Sequence, residues 1–463
     1  MRALDMSDRE LAALMTEATR LAGEYWTSLD ERPSYPSTSG AETARLFDRP
    51  WMDEGRGEEV LNDIRVIAEH VRPSTGRFFG YVAGSGEPVG AIGDFLASVL
   101  NQNSTSWRSA PAAVTIERAV VGWLADAIGC GGFAGHLCGG GSTANLMALA
   151  IARESLLPAN EDGARPGVVY ASEQVHMSVP KAVALLGLGR SNLRLIPVDK
   201  DFRLRIDALE AAIASDRSLG KMPLAIVANG GTVATGAIDP LRELADIAEA
   251  EGLWLHVDGA FGAPAAMAAP EKFEGLNLAN SISLDAHKWL YQPIDCGCLL
   301  YRDRDAARKT FSHSGDYVRI FNEDPSEAFA FFEESIELTR RFRALKLWMS
   351  LQYHGRKAYR EAISRDLQHA QMLANAIIAH PELELLAPVP LSAVCFRHRI
   401  KNNEAILQRV ISRGRIYLSN ATINGHFALR ACFVNHRTRP EDVYEIVSEV
   451  IAAADEGNSS DPQ

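Results

Sequence analysis

Four short motifs carry residue types that do chemistry when they meet. Leu284-Asp285-Ala286-His287-Lys288-Trp289 closes a run of strand-forming residues. A lysine at the end of a buried strand is costly to keep charged, and desolvation lowers its pKa toward nucleophilic use. The bland alternative is a side chain that snorkels to water. His256-Val257-Asp258-Gly259-Ala260 ends another aliphatic run, where an aspartate can cap a helix, bind a metal or pair with a buried cation. Cys138-Gly139-Gly140-Gly141-Ser142-Thr143-Ala144-Asn145 precedes a helical pattern over 146–157. Glycines ahead of a helix let backbone N–H groups reach an anion, whose charge the helix dipole favours. The stretch is neither a P-loop nor a dinucleotide fingerprint, since no Gly-Lys-Ser/Thr follows and the glycine spacing differs; taken alone it equally suits a flexible turn. Glu173-Gln174-Val175-His176-Met177-Ser178 follows a strand-like run over 168–172, and a lone histidine there is more often structural.

The elements that must position these motifs follow from rhythm. Short aliphatic or β-branched runs at 168–172, 193–198, 224–228, 253–258, 281–284 and 297–301 alternate with helical segments. Asp239 is the expected N-cap of one such helix, with Pro240 at its first position and Gly252 at its end. Strand, helix, strand in that order predicts an α/β fold with a mostly parallel sheet covered on both faces. Ligands in such sheets bind beyond the carboxyl ends of the strands. Leu11, Leu14, Met15, Ala18 and Leu21 predict an N-terminal helix that Pro33 and Pro36 end, and 65–129 reads as further helices. A long helix is expected from 341 toward 379, strands at 392–397 and 428–433, and a last helix over 439–453.

The chain has 463 residues, 47% hydrophobic and 23% charged, with a formal net charge of -12. That length can bury a large core and suggests two or three structural units. No dense Lys/Arg run is present, which argues against nucleic acid and anionic membrane surfaces as partners. The first residues carry charges and no apolar signal-like stretch, and no run reaches the ~18 apolar residues of a spanning helix. Six cysteines are too sparse for a disulfide framework. Cys296 and Cys298 lack the partners of a zinc site, so a cytoplasmic protein is expected.

A phosphate cup, an imidazole, a carboxylate and a lysine, most at the carboxyl ends of predicted strands, match the needs of pyridoxal 5'-phosphate. Lysine forms the Schiff base, the carboxylate keeps the pyridine nitrogen protonated, and the cup holds the phosphate. Those motifs, with Arg32-Pro33-Ser34-Tyr35-Pro36, Arg77-Phe78-Phe79-Gly80-Tyr81, Asn101-Gln102-Asn103, Trp107, Arg340-Arg341-Phe342-Arg343-Ala344-Leu345-Lys346 and Leu429-Arg430, make the chain resemble the group II pyridoxal-phosphate decarboxylases. That family includes aromatic-amino-acid, histidine and glutamate decarboxylases. The likeness covers nearly the whole chain. It implies the aspartate-aminotransferase (type I) fold: an N-terminal helical arm over 1–85, a large cofactor domain over 86–345 and a small α+β domain over 346–455. A disordered tail over 456–463 would follow. It also implies a homodimer with active sites at the subunit interface, which would give the arm a surface to pack on.

By that resemblance Lys288 is the Schiff-base lysine, Asp258 pairs with the pyridinium nitrogen, and Ala260 packs on the ring face opposite His176. His176 stacks on the cofactor and orients the substrate carboxylate. Gly141 and Ser142 hold the phosphate, with Asp285 contributing where many relatives have asparagine. Thr232 touches the ring oxygen, and His287 lies beside the Schiff base. Tyr317, in Thr310-Phe311-Ser312-His313-Ser314-Gly315-Asp316-Tyr317-Val318, matches the mobile-loop tyrosine that donates a proton after decarboxylation. Relatives with phenylalanine there resemble aldehyde synthases that consume oxygen, so Tyr317 favours simple decarboxylation of an L-amino acid to an amine and CO2. Tyr81, Val82, Asn103, Thr105 and Ile294 correspond to the pocket of aromatic-amino-acid decarboxylases, with Asn103 and Thr105 replacing bulky apolar groups. Aromatic amino acids are the expected substrates. The alternatives are an aldehyde synthase or aldolase on the same scaffold, a non-catalytic cofactor-binding protein, and a metal-dependent hydrolase built on His256, Asp258 and His287. The last lacks any established ligand spacing.

Overall fold

The computed structural model describes residues 4–313, 324 and 327–456. The predicted alternation folds into a seven-stranded sheet: β1 (Ala134–Cys138), β2 (Val168–Ser172), β3 (Leu193–Ile196), β4 (Pro223–Asn229), β5 (Trp254–Asp258), β6 (Ser281–Asp285) and β7 (Gly297–Tyr301). The spatial order is β1-β7-β6-β5-β4-β2-β3. The run β3-β2-β4-β5-β6 is parallel, while β7 is antiparallel to both β6 and β1. Strands β2, β5, β6 and β7 are buried along their whole length, as expected when helices cover both faces. The sheet therefore separates two apolar clusters, one holding Leu137, Ile226, Val257 and Leu284 and the other Cys138, Val169, Val227 and Leu299.

A second, antiparallel sheet contains β8 (Leu383–Leu385), β9 (Ala393–His398), β10 (Ser419–Ile423) and β11 (His426–Cys432), in the order β10-β11-β9-β8. The helices Asn403–Arg413 and Pro440–Asp455 and the distal part of Ala344–Ala379 share its core. The long helix is interrupted at Gly355, whose φ of 75° and ψ of 158° are not helical. The two sheets are joined by Arg430 of β11. Its guanidinium donates to the Tyr81 carbonyl at 2.8 Å, the Ala234 carbonyl at 3.0 Å and the Val233 carbonyl at 2.5 Å.

The first helix, Asp8–Thr27, begins with a capping box between Ser7 and Glu10, and Leu21 is its one buried residue. Helix Pro88–Leu100 leaves Ile92, Phe95, Val99 and Leu100 exposed. Sequence reading missed β1, β8 and β10. It also misplaced Asp239, which is no helix cap: the helix starts at Leu241 with Pro240 as its N-cap. Asp239 is instead a buried clamp that accepts the backbone N–H groups of Leu204 and Asn229, each at 2.7 Å. Burial lifts its pKa to about 6. Of the expected tail over 456–463, Glu456 caps the last helix, and 457–463 lie outside the described residues.

Candidate active site

Because β2, β4, β5 and β6 run parallel, their last residues fall along one edge: Ser172, Asn229, Asp258 and Asp285. β1 reaches the same edge through β7, since Gly297 pairs with both Cys138 and Asp285. The glycine run then opens the helix Gly141–Leu156, which has no side-chain cap. A cavity of about 270 Å3 at this edge is lined by residues 139–142, Asn145, His176, Asn229, Asp258, Ala260, Asp285, His287 and Lys288. Most of the residues singled out from four separate motifs thus share one hollow.

Two glycines make the cup possible. Gly140 has φ of 127°, which a side chain would strain. A Cβ on Gly141 would lie 2.7 Å from the Ala260 Cβ and 3.3 Å from Asp285 Oδ2, so only glycine keeps the cradle open. The uncapped helix start supplies N–H donors and the positive dipole end that an oxyanion needs.

Lys288 lies in the short helix Ala286–Trp289. Its Nζ is 3.0 Å from Asp285 Oδ2. Asp285 Oδ1 is buried without a hydrogen-bond partner, and the expected phosphate contributor is thus an ion-pair partner of Lys288 here. The His287 Nδ1 accepts the Cys296 N–H at 3.2 Å, and burial lowers the His287 pKa. Asp258 is 7% exposed. Its Oδ1 accepts from Ser283 Oγ at 3.1 Å and from the Ala260 N–H at 3.2 Å, while Oδ2 accepts from Asn145 Nδ2 at 2.7 Å. The His176 Nδ1 is 2.8 Å from Ser178 Oγ, and burial lowers its pKa as well.

The residues fit pyridoxal phosphate. The open cradle at a helix start suits its phosphate, Asp258 suits the ring nitrogen, and the Lys288 amine suits the aldehyde. Thr232 stands apart: its hydroxyl is 2.9 Å from that of Thr235 and accepts the Ala237 N–H at 3.1 Å, and it is the neighbours Gly231 and Val233 that line the cavity.

The expected substrate pocket is not gathered around Lys288 in the single chain. Tyr81 lines an adjoining cavity of about 740 Å3 with His176, Arg190 and Arg430. Asn103 Oδ1 accepts the Arg340 N–H at 2.9 Å, the Thr105 carbonyl accepts the Phe331 N–H at 2.8 Å, Val82 packs on the main core and Ile294 is 69% exposed. Tyr317 lies outside the described residues. Sequence reading missed Asn145, Ser178 and Asn229 as site residues, although the first two stand inside motifs it had singled out.

Residues 42–399 match the pyridoxal-dependent decarboxylase conserved domain. The chain is 35% identical over 398 residues to an aromatic-L-amino-acid decarboxylase of Bacillus atrophaeus, covering 83% of this chain and 82% of the relative. It is 32% identical over 404 residues to a phenylacetaldehyde synthase of Petunia hybrida, covering 81% and 80%. Among solved structures, that of Oryza sativa TDC with PLP and tryptamine superposes with a TM-score of 0.91 at 25% identity, covering 98% of this chain and 99% of the other.

Proposed function

The chain belongs to the pyridoxal-dependent decarboxylase family, and from that premise we propose that it converts an aromatic L-amino acid to the corresponding amine and CO2. The observation that carries this reading is the meeting of Lys288, Asp258, His176 and the cradle of residues 139–142 in one cavity. When bound, pyridoxal phosphate supplies an electron sink for the pair left behind as a Cα bond breaks. Residues 139–142 hold the phosphate, and the Lys288 amine holds the aldehyde end. Asp258 keeps a proton on the ring nitrogen. His176 covers the ring and orients the substrate carboxylate, and Tyr317 delivers the proton that replaces CO2 at Cα. The aromatic substrate rests on likeness to the bacterial relative.

Two further parts of the reading concern setting. A second copy of the chain covers the exposed apolar face of Pro88–Leu100 and the first helix, whose one buried residue leaves it little to pack on. Six free, buried cysteines support a reducing compartment such as the cytoplasm. Among the described residues no helix is long and apolar enough to cross a membrane.

The test is a product assay. Purified protein with pyridoxal phosphate is given individual L-amino acids while CO2, amine, aldehyde and peroxide are recorded. CO2 with an aromatic amine is the expected result. CO2 with aldehyde and peroxide moves the assignment to an aldehyde synthase, the activity of the Petunia relative. No CO2 from any amino acid refutes the decarboxylase.

A further inference from the structure

From Asn145, Asp258 and His176 in the cavity wall, a line of polar side chains runs back into the buried interior. Trp254 Nε1 is 2.8 Å from Ser281 Oγ, which is 2.9 Å from His256 Nδ1. His256 Nε2 is 2.9 Å from Asn145 Oδ1. The Asn145 amide nitrogen reaches Asp258 Oδ2 at 2.7 Å and Ser178 Oγ at 2.9 Å, and Ser178 Oγ is 2.8 Å from His176 Nδ1. All of these residues except His176 are under 9% exposed, so water does not complete the line.

Its two fixed ends determine the direction of every bond between them. Trp254 Nε1 can only donate, so Ser281 accepts there, which leaves its own proton free for His256 Nδ1. The Asp258 carboxylate only accepts, so the Asn145 NH2 faces it and the Asn145 oxygen faces His256. His256 therefore carries its proton on Nε2. The opposite tautomer would turn the Asn145 oxygen onto the carboxylate. From Asn145 the line forks: Ser178 accepts the second amide proton and gives its own to His176 Nδ1. The Ser178 backbone N–H, 3.3 Å from the same atom, can only donate as well. His176 Nδ1 is thus an acceptor, and its proton is on Nε2.

We propose that Asn145 is a positioning residue joining the two cofactor contacts: one hydrogen-bond line anchored at Trp254 both fixes the Asp258 carboxylate and sets the tautomer of His176, so that His176 offers an Nε2–H donor. The inference rests on the reading of Asp258 and His176 given above. Burial holds both imidazoles in the neutral form the line needs, lowering His256 to about 4 and His176 below its ordinary value.

The test compares wild type with Asn145→Leu, which keeps shape and removes every polar atom, with Ser178→Ala, which cuts only the His176 branch, and with Ser281→Ala, two links from the cavity. Ring-15N histidine NMR of the cofactor-free protein reads the tautomers. Absorbance titration with pyridoxal phosphate reads affinity, and thermal melting confirms folding. Wild type is expected to show His176 with a bare Nδ1. Asn145→Leu loses that single tautomer and weakens pyridoxal phosphate binding about tenfold or more, the scale of one hydrogen bond to a charged group. Ser178→Ala shifts the His176 signal but costs less affinity than Asn145→Leu, and Ser281→Ala shifts the His256 signal. A folded Asn145→Leu protein with wild-type affinity and wild-type histidine signals overturns the proposal. Should that variant not fold, unchanged signals in both serine variants overturn it equally. Histidine signals are read without cofactor, so a wild type that binds none counts against the proposed function and not against the line.

Discussion

The sharpest prediction concerns Gly297, the residue of β7 that lies against the phosphate cradle. A Cβ there would sit 2.6 Å from the Gly140 nitrogen and 2.8 Å from its carbonyl carbon, closer still to its Cα. Such contacts need about 3.4 Å or more, so Gly297→Ala must push Gly140 away by roughly 0.5–1 Å. Gly140 cannot yield alone, because its carbonyl accepts the N–H groups of Thr143 at 3.0 Å and Ala144 at 3.1 Å. The start of the helix moves with it. A shift of that size weakens or breaks one hydrogen bond from the cradle to a phosphate oxygen, worth about 1.5–3 kcal/mol for a charged acceptor. The expected result is a loss of pyridoxal phosphate affinity of about 10- to 100-fold. Absorbance titration of the cofactor-free protein measures it. The control is Gly135→Ala, at the far end of the same strand pair, where a Cβ would collide with the Leu299 carbonyl oxygen. Equal losses in both variants, or none in Gly297→Ala, would refute the claim that the cradle is displaced locally.

Three other perturbations test separate parts of the structure. Tyr317→Phe should lose amine formation while its pyridoxal phosphate titration stays that of wild type; undiminished amine output removes Tyr317 from the chemistry. Glu117 is fully buried and ion-paired with Arg340 at 2.5 Å, so Glu117→Gln should destabilise the fold by about 3 kcal/mol in urea unfolding, because it leaves the buried Arg340 charge only the more distant Glu337 carboxylate at 3.7 Å. Asp366 accepts from Tyr291 Oη at 2.8 Å and Trp289 Nε1 at 3.1 Å, and burial lifts its pKa to about 7 from 3.8. The folded state therefore binds a proton that the unfolded carboxyl releases, so its stability contribution is full below about pH 3.8 and is lost as pH rises through 7. Asp366→Asn removes that loss. Its unfolding free energy should climb with pH more steeply than wild type between pH 4 and 6.5, by about 1.4 kcal/mol per unit; parallel slopes in denaturant titrations would contradict the assignment.

Much of the site was legible because its chemistry stands at the ends of aliphatic runs. Asp258, Asp285 and Lys288 end or follow strands whose burial is written in their composition. β1 was not legible, since Ala134-Gly135-His136-Leu137-Cys138 has no β-branched residue and is a strand by virtue of its place beside β7. Asp239-Pro240 has the local form of a helix start, yet two backbone N–H groups from elsewhere draw the carboxylate inward. Asn145 lies 33, 111 and 113 residues from the three side chains it bonds, a relation that no local pattern encodes.

Arg430 has a consequence for anyone who would rebuild this enzyme. Its three acceptors are main-chain carbonyls, at Tyr81, Val233 and Ala234, so this polar part of the join depends on where the backbone passes, beside an apolar seam where Phe202 and Ala237 meet Ala387, Cys395, Ile423 and Ala428. A C-terminal lobe borrowed from a homologue should dock if it presents an arginine at this place in β11 and keeps that apolar seam. A lobe that lacks it leaves the Tyr81 and Val233 carbonyls without that donor beside the cavity, while the Ala234 carbonyl keeps only the Cys395 thiol at 3.2 Å.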